Sequence, residues 1–186
     1  NPHFIYNTLE TIRMMALCEG AKDVASATAL FGKTMRYVLE NTGTTQTTLD
    51  KELGYIENYL AIQKLRFDDK VNYSLEMPDS FQASQYQILP LLLQPIVENA
   101  ISHGIKESCR KGMIRITVKP QMENRQLVIR IEDNGVGISQ DQMEALRSHI
   151  SGKDGEMVTS NIGLFNIYQR IKLFYGEEYS MTLESK

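Results

Sequence analysis

Apolar residues recur at helical intervals through the first third of the chain. Phe4, Ile5, Leu9, Ile12, Met15 and Ala16 lie three and four apart, with Asn7, Glu10 and Arg13 largely opposite, which predicts an amphipathic helix over 4–18. Gly20 punctuates it. A second pattern, Val24, Leu30, Phe31, Met35, Val38 and Leu39, ends in the turn-rich Asn41-Thr42-Gly43-Thr44. A third helix is predicted to open near Thr48, with Thr48-Leu49-Asp50-Lys51 as its cap, and carries Leu53, Ile56, Tyr59, Leu60, Ile62 and Leu65. Short links between consecutive amphipathic helices favour antiparallel packing into a bundle.

After Phe67 the period changes. Val71, Tyr73, Leu75 and Met77 alternate with polar neighbours, a half-buried strand stopped by Pro78. Ser84-Gln85-Tyr86-Gln87 fits a capping box for the next helix, and Pro90 at a first-turn position is an equally good start. That helix is predicted to end at Gly104. Strands over 113–119 and 126–132 follow, joined by a turn at Glu123-Asn124. A glycine-rich turn, a short helix over 140–147, a loose segment over 148–161, a helix over 163–175 and a strand over 179–183 complete the pattern. Helices segregated from a mostly antiparallel sheet define an α+β class, with a division near Phe67.

Composition narrows the possibilities. The 186 residues are 42% hydrophobic and 23% charged, so a packed core is feasible and wholesale disorder is not expected. Lys+Arg 20 against Asp+Glu 23 leaves −3, which argues against a nucleic-acid binder. Cys18 and Cys109 are too few for a disulfide framework and suit a reducing compartment. The longest charge-free stretch, between Asp79 and Glu98, holds Pro90, Pro95 and several glutamines and makes a poor membrane span. A soluble, intracellular chain is expected.

Three polar clusters sit where a core pattern prefers apolar residues. Glu98, Asn99 and His103 interrupt the greasy run from Leu91. Asn99 and His103 are four apart and share a helix face, and an asparagine oxygen suits Mg²⁺, which keeps its other positions for water and phosphate. The alternative is that His103 merely answers the helix C-terminal dipole beside Gly104. Next, Asp133-Asn134-Gly135-Val136-Gly137 follows a strand. Asn-Gly is also a hairpin signal, but helix-like sequence comes after it rather than a returning strand. Gly135 and Gly137 permit close backbone approach to a planar ligand, and Asp133 can accept a hydrogen bond from an exocyclic amine such as adenine's. Third, Asn161-Ile162-Gly163-Leu164-Phe165-Asn166 opens a helix whose N-terminal amides can bind phosphate, or it is an ordinary capped helix. Ahead of it, 148–160 with Gly152 and Gly155 has the composition of a lid or of a plain surface loop. His3 stands in the first turn of the first helix, where an imidazole can serve as a solvent-presented nucleophile.

Jointly, these segments resemble the sensor histidine kinases of the LytS/YesM type over nearly the whole length. Asn1-Pro2-His3-Phe4-Ile5-Tyr6-Asn7-Thr8-Leu9 looks like that family's phosphoacceptor box, and Leu93-Gln94-Pro95-Ile96-Val97-Glu98-Asn99-Ala100-Ile101-Ser102-His103-Gly104 like its N box. Asp133-Asn134-Gly135-Val136-Gly137-Ile138 and Gly163-Leu164-Phe165-Asn166-Ile167 resemble its two glycine boxes. Glu57 to Phe67 also resembles the family, without a chemical role. The resemblance implies a helical dimerisation and phosphoacceptor region over 1–67 and, over 68–186, an α/β-sandwich ATP-binding domain of the GHKL (Bergerat) type, with one further strand expected after it. It implies ATP and Mg²⁺ as cofactors, Asn99 as metal ligand, and His103, Asp133, Gly135, Gly137, Gly163, Leu164 and Asn166 as nucleotide-binding positions.

The same resemblance implies a protein-histidine kinase that phosphorylates His3 and passes the group to a response-regulator receiver domain. It also implies a homodimer through the N-terminal helices, an upstream transmembrane sensor region, and a place on the cytoplasmic side of a bacterial membrane. ATPase relatives carry a water-activating glutamate one turn before the metal-binding asparagine, where this chain has Pro95. Larger histidine kinase families place an acid directly after the phosphorylated histidine, where this chain has Phe4, so the base is unassigned, with Glu98 as one candidate. An ATP-binding adaptor without phosphotransfer, a slow ATPase and a serine kinase of the same fold remain as alternatives.

Overall fold

The computed structural model describes residues 2–67, 70–105, 111–121, 126–150 and 162–185. Two long helices, α1 (Pro2–Cys18) and α2 (Lys22–Asn41), form an antiparallel hairpin around Gly20, whose φ of 73° suits the one residue without a Cβ penalty there. Leu9 approaches Gly32 closely, and Arg36 stacks over the Tyr6 ring at 5.0 Å, so the two helices meet by both apolar and cation–π contact. α3 (Leu49–Arg66) follows a two-residue strand, β1 (Thr47–Thr48). It has Asp50 and Glu52 in its first turn and Lys64 and Arg66 in its last, which complements its dipole at both ends.

The predicted cap of α3 is in place by position but not by chemistry. Thr48 makes no side-chain cap, and its Oγ1 is buried without a partner among the described residues. Instead the Leu49 N–H donates to Tyr86 O at 2.8 Å, where β1 pairs antiparallel with β3 (Gln87–Ile88). This pairing also overturns the predicted capping box. Ala83–Gln85 is a single 3-10 turn leading into β3, because the backbone there is committed to β1. The following helix, α4 (Gln94–Asn99), begins with Pro95 rather than Pro90, and Pro95 fits its first turn. It passes at Ala100–Ile105 into a π-helical turn, not into an unbroken α-helix ending at Gly104.

The main sheet has the order β2 (Val71–Glu76), β4 (Gly112–Gln121), β5 (Gln126–Asp133). β2 runs parallel to β4, with Val71 opposite Gly112, and β5 runs antiparallel to β4, with Ile114 opposite Asp133. The sheet is therefore mixed, not mostly antiparallel. The predicted strand over 179–183 is absent. That segment forms no ladder, and side chains hold it: Arg147 Nη2 donates to Leu183 O at 3.2 Å and the Ile138 N–H to Ser185 Oγ at 2.8 Å. α5 (Gln140–Ile150) and α6 (Ile162–Tyr175) match the predicted helices.

Packing runs from α1 onto α2, α2 onto α3, and α3 onto the sheet. Leu49, Leu53, Ile56 and Leu60 of α3 join Val71, Ile114, Ile116 and Val118 of the sheet and Val97, Leu164 and Ile167 of α4 and α6 in one core. Each such fully buried aliphatic side chain contributes about 1.5–3 kcal/mol. Among the described residues no helix is long and apolar enough to cross a membrane.

Candidate active site

The end of the sheet where β2 and β4 begin is also where β5 ends, so Asp133 stands there opposite the buried Ile114. α4 and its π turn lead towards the start of β4, and the π turn packs against both β4 and β5. Asn99, the half-buried last residue of α4, immediately precedes that turn. α6 lies on α4, and a Cβ placed on Gly163 would sit 3.7 Å from Pro95 Cβ. That is ordinary contact, so packing on α4 does not by itself demand glycine. The first and third of the sequence clusters thus meet where α6 lies on α4.

Local geometry assigns each residue a narrower task. Asp133 is exposed, and its Oδ1 accepts the Gly135 N–H at 2.9 Å, which closes the turn and leaves Oδ2 for other partners. Gly137 has φ 75°, a left-handed state that glycine adopts without penalty. Asn134 is a clasp: its Oδ1 accepts the Met113 N–H at 2.7 Å and its Nδ2 donates to Lys111 O at 3.0 Å, fixing the start of β4 against the end of β5. Leu164 buries its side chain in the core, so the group it can offer a ligand is its backbone amide in the first turn of α6. Asn166 is exposed. The predicted lid over 148–160 is corrected at its start, since 148–150 complete α5, and its remainder lies outside the described residues, as do Asn161 and the side chain of His103.

Glu98 faces another way. Its Oε1 accepts from Gln94 Nε2 at 2.7 Å, and the Ser102 hydroxyl donates to its backbone carbonyl at 2.8 Å. The phenols of Tyr55 and Tyr59 on α3 are pushed above their usual range, first by burial and then by the Glu98 charge, so this carboxyl lies beside α3. His3 is exposed in the first turn of α1, whose packing partner is α2, and so belongs to the outer layer of helices.

The residues that assemble the approach to α4 were not singled out from the sequence. Glu52 of α3 is fully buried. Its Oε2 accepts from the Tyr37 hydroxyl and from the Leu91 N–H at 2.9 Å, and its Oε1 from the Leu93 N–H at 3.0 Å. From the other side Arg170 of α6 donates to Leu91 O at 3.1 Å and to Pro90 O at 2.6 Å, while the Tyr175 hydroxyl accepts the Leu89 N–H at 2.9 Å. Leu91, with φ 56°, is the one non-glycine residue in the left-handed region among the described residues. A glutamate on the buried stripe of an otherwise apolar face was the available signal, since such a charge is rarely buried without partners.

Residues 88–185 match the family described as histidine kinase-, DNA gyrase B-, and HSP90-like ATPase, and residues 1–71 match the histidine kinase family. The chain belongs to the histidine kinases, with its helices followed by the α/β unit shared with those ATPases. An uncharacterized sensor-like histidine kinase of Staphylococcus epidermidis is 32% identical over 94% of this chain and 32% of its own length. The sensor protein kinase HptS of Staphylococcus aureus is 31% identical over 100% of this chain and 34% of its own. The chain spans about a third of the length of these curated relatives. A histidine kinase domain from a blue-light activated histidine kinase of Erythrobacter litoralis superposes with a TM-score of 0.44 at 12% identity, covering 90% of this chain and 84% of that one.

Proposed function

We propose that this chain is the kinase core of a two-component sensor, moving the γ-phosphoryl group of ATP·Mg²⁺ to His3 and from there to an aspartate of a response-regulator receiver domain. A nitrogen of His3 bonds to the γ-phosphorus, the bond to the β-phosphate bridging oxygen breaks, and ADP leaves. The receiver carboxylate then displaces the histidine from phosphorus. The carrying observation is the exposed His3 at the head of a helical hairpin, followed in the same chain by an ATPase-type unit in which Asp133 ends β5 and Asn99 precedes the π turn that packs on β4 and β5.

The donor set suits the cofactors. Asn99 offers a neutral oxygen to Mg²⁺, which tolerates few protein ligands, and Asp133 keeps one carboxyl oxygen for an adenine amine. The first-turn amides of α6 at Gly163 and Leu164 would hold phosphate, Gly135 and Gly137 would let the backbone approach the nucleotide, and His103 and Asn166 complete the proposed set. Mg²⁺ would neutralise charge on the phosphates, as phosphoryl transfer is largely positioning and electrostatics. Pro95 supplies no base for water, which supports transfer over hydrolysis.

The division at residue 67 is functional: residues 1–67 present His3 and a dimer surface, and 68–186 hold the nucleotide. Two hairpins would complete a four-helix bundle, and Phe4, Ile12 and Met15 lie exposed within about 80° of one another on α1 to receive the second copy. In the full-length protein the unit would sit on the cytoplasmic side of a membrane, below a sensor region. Incubation with γ-labelled ATP should give acid-labile, base-stable label that His3→Gln removes; label surviving in that variant sinks the assignment. An ATP-binding adaptor is the second reading, favoured by Phe4 beside His3. An adaptor would bind ATP yet never label a receiver domain.

A further inference from the structure

The bend over residues 89–93 joins both halves of the proposed nucleotide site. It leads directly into α4, which carries Asn99, and it is gripped by α6, whose first turn carries Gly163 and Leu164. A leucine in the left-handed region persists only where its surroundings over-determine it. Here they do so from two sides. Glu52 collects the Leu91 and Leu93 amides, while Arg170 collects the Pro90 and Leu91 carbonyls. The peptide units of the bend are thus pinned between an acidic and a basic side chain on different helices.

Resting on the nucleotide-site reading above, we propose that Glu52 is a positioning residue for that site. It holds the Leu91 bend that sets the direction of α4, and through the Tyr37 hydroxyl it ties that direction to α2 of the helical hairpin. Tyr37 is buried and stacks on Tyr55 with ring centroids 4.7 Å apart, so its hydroxyl has little freedom to follow another acceptor. A shift of α2 against α3 would break this hydrogen bond or drag Glu52, and Glu52 cannot move without releasing the two amides that precede α4. The hairpin that bears His3 and the helix that bears Asn99 would then share one buried carboxyl group.

The test is ATP·Mg²⁺ affinity, measured by calorimetry on wild type, Glu52→Gln, Tyr37→Phe and Ile56→Val. Glutamine keeps one acceptor oxygen but turns an amine on a backbone N–H, so affinity should fall about tenfold while the chain stays folded. Hydrogen exchange of the Leu91 and Leu93 amides should rise in the same variant. Tyr37→Phe, which keeps the ring stack and removes one donor, should weaken binding by about two- to threefold. Ile56→Val, one helical turn along α3 and fully buried, should lose stability but keep wild-type affinity. Unchanged affinity in both Glu52→Gln and Tyr37→Phe overturns the proposal while wild-type binding leaves the functional reading standing. Equal loss in Ile56→Val reduces Glu52 to a structural role and overturns it too. If Glu52→Gln fails to fold, Tyr37→Phe decides alone, and wild-type affinity there overturns the link. A wild-type chain that binds no ATP overturns the functional reading and this one with it.

Discussion

Asp133 illustrates how one side chain can serve both turn and ligand. One carboxyl oxygen is spent on the Gly135 amide, which fixes the other where a base could meet it. Asp133→Asn keeps an oxygen for the turn but presents an amine in the other place, so ATP should lose affinity relative to GTP; an unchanged ratio in competition binding would argue against adenine recognition. A second expectation concerns the buried phenols. Tyr37, Tyr55, Tyr59 and Tyr175 are all raised above the usual value of 10.0, chiefly by burial, with the Glu52 hydrogen bond adding to the shift at Tyr37. A raised folded-state value favours the protonated phenol, so this contribution is complete below about pH 10 and drains away above it. Urea melts between about pH 8 and pH 11 should show that decline, and Tyr37→Phe should make it shallower.

At the scale of elements, sequence periodicity located α1, α2, α3, α5 and α6, because each carries its apolar residues at helical spacing, but it misplaced the start and end of α4. The stripe in 49–60 repeats every three or four residues and could be read without knowing what covered it. Short elements resisted. β1 and β3 are two residues each and exist only because they pair with one another across some forty residues, which no local pattern records. Residues 179–183 alternate as a strand should, yet alternation cannot supply a ladder partner, and the segment stays irregular beside Arg147 and Ser185. Asn99 and Asp133 could be singled out as candidates because their polarity broke a core pattern. Glu52 and Arg170 were not singled out: Glu52's place on a buried stripe hinted at partners, but those partners, the Tyr37 hydroxyl and backbone groups around Leu91, are distant in sequence. α6 depends on core packing through Ile167, which is 1% exposed. Ile167→Ala should cost about 2–5 kcal/mol, read as a lower denaturant midpoint with an unchanged slope.

For the molecule as a whole, the outer surface of the hairpin is as informative as the core. Phe4 is 72% exposed and Met15 63%, large apolar areas left to solvent on α1. If a second copy covers them, Met15→Glu should shift the assembly to monomers in light scattering, with the sheet domain still folded and still binding nucleotide. A monomer mass for the unaltered chain would place this surface outside self-association.

The parallel pairing of β2 with β4 reaches beyond the sheet itself. Parallel neighbours cannot be joined by a tight turn; the chain must travel back the length of a strand before it can pair again. In this protein the return journey is the stretch 77–111, and it contains the Leu91 bend, α4 and the π turn. The proposed metal ligand Asn99, with His103 beyond it, therefore occupies the obligatory connection of a βαβ unit. Trimming or cutting that stretch would unpair the sheet's edge along with the site, so variation in length among related chains should collect elsewhere, and this segment should melt only together with β2.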